Sequence, residues 1–353
     1  MSAIATIERK RVSYSQITCY KRCKKKWYFR YVLGLKPIYS PRPMNVGKLV
    51  HVGIGHYYAN KDWRKAMEEA HLKNVEDIKN AKSLSEEEMI QYVTDAEEHY
   101  ADSIGVVERY IEHDAKDPLL PEGWKVLAVE QEFLVDVDGA KDQLYGFIDM
   151  VVEDPNGNIW GVEHKSGEQF FMVEQLSLSE QTTMYIAVLK AKYGSDRVKG
   201  MIYNLIRTKK PSVPKMTKQG TMSKAAIDTT WEIYEAELLK NGLNPANYAD
   251  MKDKLEGNKF FDRTYTYRTN REINNFLSEL AIVMNEISEQ RAELCYRSPR
   301  RECSWDCREF HELCIMDFKG LDTEEYIRHT YIERAPDPMD EMEFFDFVGE
   351  SMY

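Results

Sequence analysis

A chain of 353 residues with 43% apolar and 30% charged content can bury a large core, which excludes a disordered or low-complexity protein. No stretch holds enough consecutive apolar residues to span a bilayer, and the start, MSAIATIERKRVSYS, lacks the apolar core of a signal peptide, so a soluble protein inside the cell is expected. A formal net charge of −11 excludes a uniformly basic surface, so any nucleic-acid contact has to come from local charge.

Local charge is uneven from the first element onward. Residues 15 to 33 have helical spacing of Ile17, Tyr20, Trp27 and Tyr31, with Ser13 or Ser15 as cap and Gly34 and Pro37 as stops. This helix carries Lys21, Arg22, Lys24, Lys25, Lys26 and Arg30 interleaved with Trp27, Tyr28 and Phe29, a composition suited to backbone phosphates and stacked bases. A second helix is expected from about Gly47 to Ala59. Residues 62 to 114, rich in Glu, Lys and Ala, form a helical insertion.

At Lys125 the texture changes to β-branched and aromatic runs, which predicts antiparallel strands over 125–137, 143–153 and 158–164. A helix over 176–193 and a strand over 198–206 follow, giving an α/β core. Helices are then expected near 222–240 and 271–293, with the aromatic stretch Phe260 to Tyr267 between them. The implied organisation is an N-terminal helical segment (1–59), a helical insertion (60–124), a core (125–215), a cysteine-bearing helical region (216–320) and an acidic tail (321–353).

The turn Asp154-Pro155-Asn156-Gly157 suits a three-residue hairpin loop, with proline in a type I turn and glycine at a left-handed position. Counting outward from it puts Asp149 opposite Glu163. Strand alternation turns Glu163 and Lys165 to one side and His164 to the other, leaving the His164 carbonyl at the edge. Paired carboxylates bind Mg²⁺ or Mn²⁺, and a neighbouring lysine stabilises developing negative charge, although a solvated hairpin face also carries such residues. Glu130 on the preceding strand is a further acidic candidate. Gln181 and Tyr185, four apart on the next helix, share one face.

The cysteines cluster at the two ends: Cys19 and Cys23, then Cys295, Cys303, Cys307 and Cys314. In a reducing compartment this points to metal ligation more than to disulfides. From Asp337 onward six acidic residues meet no lysine or arginine, and acids alternate with Phe344, Phe345 and Phe347. Such a tail lacks its own fold and serves as a solubilising end, a docking peptide for a protein partner or a mimic of DNA.

Gly146-Phe147-Ile148-Asp149, Glu163-His164-Lys165 and Gln181-Thr182-Thr183-Met184-Tyr185 resemble the motifs of the PD-(D/E)XK nuclease superfamily in its RecB-type branch. The resemblance extends to Gly47-Lys48-Leu49-Val50-His51, to Ser13-Tyr14-Ser15-Gln16-Ile17 with Tyr20-Lys21-Arg22-Cys23, and to Cys303-Ser304-Trp305-Asp306-Cys307 with Cys314. It resembles CRISPR-associated RecB-like exonucleases and, in its Cys-x-Trp-Asp-Cys wording, versions carried by bacteriophages.

It implies a restriction-endonuclease-like mixed sheet and a metal site of His51, Asp149, Glu163 and His164, with Lys165, Gln181 and Tyr185 completing the catalytic group. It also implies a [4Fe–4S] cluster on Cys23, Cys303, Cys307 and Cys314. His56 competes with His51, Cys295 with Cys23, and zinc with the cluster. The chain departs from the pattern at Ile148, where proline is usual, at His164, where tyrosine is frequent, and in its Cys-x3-Cys spacing. The expected function is a metal-dependent DNA exonuclease on single-stranded ends, acting in recombination, repair or processing. A non-catalytic DNA-binding accessory and a partner-recruiting protein are the alternatives.

Overall fold

The computed structural model describes residues 10–333 apart from 82, 171–172, 226, 301–302 and 304–306. Trp305, Asp306 and the acidic tail from Asp337 lie outside these residues. The core is a six-stranded mixed sheet built from β1 (Arg11–Ser13), β3 (Lys125–Asp136), β4 (Gln143–Glu153), β5 (Ile159–Gly167), β6 (Val198–Arg207) and β7 (Phe261–Thr266). Strands β3, β4 and β5 are antiparallel neighbours, β5 and β6 run parallel, and β7 returns antiparallel to β6. A short parallel strand, β1, adds to β4. The parallel step needs a crossover, which α6 (Glu180–Tyr193) supplies.

One face of the sheet packs on α6, on α1 (Tyr14–Arg22) and on α8 (Asn270–Glu289) through Ile17, Tyr20, Ile148, Ile186 and Met284. The other face meets α3 (Arg42–Tyr58) and α5 (Glu86–Asp114) through Val46, Val50, Val106 and Ile206. Helix α3 needs a bare backbone at Gly53, because a side chain there would come within 2.8 Å of Val107 on α5. The insertion folds as α4 (Trp63–Asn80) and α5, the second started by a reciprocal Ser85–Glu88 capping box.

The expected strands and the helices around them are present within a few residues, and a mixed α/β sheet flanked by helices is the result. The helix expected over 15–33 is broken. Cys23 adopts an extended conformation (φ −162°, ψ 114°), so α1 stops at Arg22, and a short helix α2 (Lys24–Trp27) and a wide turn over Tyr28–Val32 follow. The helix expected from 222 starts only at Trp231, as α7 (Trp231–Lys240), because the preceding segment is spent on other bonds. Asp228 accepts from Arg207 at 2.6 and 3.0 Å, and its carbonyl accepts from Ser212. A separate two-stranded sheet joins β2 (Leu35–Pro37) to β8 (Tyr331–Glu333), and the aromatic stretch at 260–267 supplies the edge strand β7.

Candidate active site

The hairpin between β4 and β5 forms as the turn chemistry demands. Gly157 sits at φ +78°, and the Asp154 carboxylate accepts from the backbone of Asn156 (2.9 Å) and Asn158 (3.0 Å). With Met150 paired to Val162, the next step outward sets Asp149 against Glu163, and the Asp149 carboxylate accepts the His164 backbone N–H at 2.7 Å. On the other side of β4, the pairs Val129–Met150 and Gln131–Ile148 bracket Glu130 opposite Asp149. Three carboxylates therefore lie side by side on three neighbouring strands. Glu130 holds an unusual left-handed backbone (φ +50°), a conformation that costs a non-glycine residue energy and concentrates at functional sites.

The cation of the set is locked in place. Lys165 Nζ donates to Glu163 Oε1 at 2.6 Å and to Gln181 Oε1 at 3.1 Å, and Gln181 Nε2 donates to the Tyr185 hydroxyl at 3.0 Å. The helix spacing of Gln181 and Tyr185 thus delivers both to the lysine. From the opposite layer, His51 on α3 brings Nδ1 to 3.6 Å from Asp149 Oδ2. His56 instead bonds the Val52 carbonyl one turn back and takes no part.

Burial governs the electrostatics. It pushes Asp149 up to about 6, against the His164 N–H and Lys165, which favour its charged form. Burial and then the Asp149 charge raise Glu163, and burial with both neighbouring carboxylates raises Glu130 well above the usual range. Burial lowers His51, leaving it neutral and able to donate a lone pair. Burial works against the charge of Lys165, but Glu163 beside it more than offsets this and holds the ammonium above its ordinary value.

His164 turns its ring away beneath α3, as strand alternation requires. Asn204 Nδ2 meets His164 Nδ1 at 2.9 Å and Tyr110 at 2.8 Å, the hydroxyls of Tyr58 and Tyr110 are 2.7 Å apart, and Tyr58 reaches Asp114 at 2.9 Å. The Tyr58 ring also stacks on His164. This scaffold behind the catalytic strand comes from three separate elements, α3, α5 and β6, and no spacing in the sequence announces it.

These residues fit a hard divalent cation. Glu163 Oε2 is buried without a hydrogen-bond partner, beside two more carboxylates whose charges repel and a neutral imidazole. Among the described residues no three His, Cys, Asp or Glu side chains are grouped as ligands of one ion. Glu163 Oε1 is turned to Lys165 and Asp149 Oδ2 to the His164 N–H, the contacts that binding a cation would exchange.

Four of the six cysteines line a second place, though among the described residues they are not grouped closely enough to ligate one ion. Cys23, Cys303, Cys307 and Cys314 line one cavity of about 240 Å³ with Phe29 and Phe310, whereas Cys295 is buried elsewhere with its thiol on the Arg291 carbonyl. Burial pushes the Cys307 thiol up to about 12. The basic segment is largely ion-paired: Lys21 with Glu180, Lys24 with Glu286, Lys25 with Asp317, and both Lys26 and Arg30 with Glu309.

A mixed sheet that presents adjacent carboxylates and a partly buried lysine beside a hairpin is an arrangement suited to cation-assisted cleavage of phosphodiesters. Residues 11–314 match the PD-(D/E)XK nuclease superfamily, and the chain belongs to that superfamily, whose members generally use Mg²⁺ or Mn²⁺ to cleave nucleic acid. No curated protein matches the chain. Among the described residues no helix is long and apolar enough to cross a membrane.

Proposed function

We propose that the chain is a metal-dependent DNA exonuclease acting on single-stranded ends, of the kind used in recombination, repair or processing. The observation that carries the reading is the Asp149–Glu163 pair with Lys165 bonded to both Glu163 and Gln181. His51, Asp149 and Glu163, with the His164 carbonyl, would hold the cation, and Glu130 stands next to them. The chemistry a divalent cation brings there is charge neutralisation on the phosphodiester and acidification of water. Lys165, kept charged by Glu163, donates a proton-bearing edge to a developing phosphate oxygen. Gln181 and Tyr185 fix its direction.

Support for a single strand comes from the segment beside the site: Lys21, tied to Glu180, brings the basic aromatic segment next to Gln181. Arg22, Lys24, Lys25, Lys26 and Arg30 extend that segment away from the sheet. Labelled single strands with one blocked end, incubated with Mg²⁺ or Mn²⁺ and then with a chelator, test the reading: stepwise shortening from one end that the chelator stops is expected, and internal cuts in circular single strands would overturn the exonuclease assignment.

A [4Fe–4S] cluster on Cys23, Cys303, Cys307 and Cys314 belongs to the same reading. Its support is that those four cysteines, and not Cys19 or Cys295, line one apolar-walled cavity with room for more than a single ion. The Arg300 N–H donates to Cys303 Sγ at 3.3 Å, and Lys26, Arg297 and Arg300 at the wall would offset thiolate charge if a cluster were bound.

A further inference from the structure

A second cleft, of about 270 Å³, lies between α3, α4 and the β2–β8 sheet, and no catalytic or cation-holding residue of the nuclease reading lines it. It rests on the α3 stripe of Asn45, Lys48, Leu49 and Val52, turned away from the stripe that carries Gly47, His51 and Gly55 toward the sheet. Arg30, Lys36, Lys48 and Lys73 line its rim with Asp77, Lys36 standing 3.9 Å from Asp77 and Arg30 paired with Glu309. Its floor is apolar, from Ile38, Leu49, Val52 and Ile332.

That combination selects among polyanions. A nucleic-acid strand uses aromatic rings to stack its bases, and among the described residues no aromatic side chain lines this cleft. An acidic peptide with large apolar side chains matches both the rim and the floor. The chain supplies such a peptide at the cleft itself: β8 sets Ile332 opposite Lys36, and the chain leaves the sheet one residue later. Residues 334–353 follow, with Asp337, Asp340, Glu341, Glu343, Asp346 and Glu350 around Phe344, Phe345 and Phe347. Phe344 lies 11 residues beyond Glu333, a reach of up to roughly 36 Å.

We propose that residues 334–353 dock back onto this cleft, their carboxylates against Lys36, Lys48 and Lys73 and their phenylalanines on the apolar floor. The tether sets an effective concentration on the order of millimolar, so weak intrinsic contacts are enough. Added salt weakens the docking because the rim is open to solvent. The inference stands apart from the nuclease reading and is tested without an activity assay.

The test uses the full chain with a benzophenone amino acid in place of Phe344, irradiated and mapped by mass spectrometry. Intramolecular cross-links to Ile38, Met44 or Leu49 at low salt are expected, and they should fall at least roughly fivefold in the Lys36→Glu, Lys73→Glu double variant. If that variant fails to fold, the unsubstituted map and its salt dependence decide alone. Cross-links elsewhere on the chain, none at all, or links formed only between isotopically distinct copies would overturn the proposal. So would links to the cleft that a single-stranded oligonucleotide makes equally well with the tail in place.

Discussion

The β4–β5 hairpin and the cysteine-lined cavity are built on opposite plans. In the hairpin, strand register and internal bonds set the groups: Asp149 on the His164 N–H, and Lys165 between Glu163 and Gln181. In the cavity, four cysteines from residue 23 and residues 303–314 line a space of about 240 Å³. Register needs no ligand to hold it, while segments so far apart in sequence gain most from a bound group that bridges them. Emptying or altering the first site should therefore cost chemistry and spare the fold, and altering the second should cost the fold.

The comparison breaks if Lys165→Ala keeps its activity or loses its fold. The expected loss is about 10²–10³-fold or more in cation-dependent cleavage, with the circular dichroism and melting temperature of the parent. For the cavity, anaerobically purified protein should show broad visible absorption. Cys23→Ser, Cys303→Ser, Cys307→Ser and Cys314→Ser should each bleach it and destabilise by more than about 4 kcal/mol, the scale on which loss of a bound metal group acts. Cys19→Ser and Cys295→Ser should keep the colour, and stoichiometric zinc without iron in the parent would refute the cluster.

A smaller effect separates the two plans through pH. Asp149 is raised from 3.8 to about 6, so its protonated form stabilises the metal-free protein fully below its ordinary value. That contribution is lost as pH rises through about 6. Relative to Asp149→Asn, metal-free parent should lose about 3 kcal/mol over that window, and Mg²⁺ should restore stability to the parent alone. A parallel pH profile for the two proteins would remove the burial argument. Least affected should be Gln181→Ala, which frees Lys165 on one side only. A drop of roughly tenfold in turnover is expected with cation affinity unchanged, and a loss as large as that of Lys165→Ala would make Gln181 more than a positioning residue.

Much of the hairpin site was legible because Asp154-Pro155-Asn156-Gly157 fixes a register, and register alone sets Asp149 against Glu163. The four-residue step from Gln181 to Tyr185 likewise needs only helix geometry. The rest depends on tertiary placement. Cys23 interrupts a segment whose spacing is helical throughout, and the extended turn there goes with its place on the cavity wall. The cations from Lys21 to Arg30 read as an open basic stripe, yet their partners Glu180, Glu286, Glu309 and Asp317 come from distant helices and turns. The buried link from His164 through Asn204 and Tyr110 to Tyr58 and Asp114 joins residues with nothing in common along the chain. Strands of three residues, β1, β2 and β8, are too short to show alternation.

The most direct test is single-turnover cleavage of an end-labelled single strand by the parent and by Glu163→Ala at saturating Mn²⁺, with Mn²⁺ binding measured on the same samples. The account predicts that the variant stays folded, binds the cation more weakly and leaves the strand intact. Cleavage by Glu163→Ala at the parent rate would contradict the placement of the chemistry at the β4–β5 hairpin.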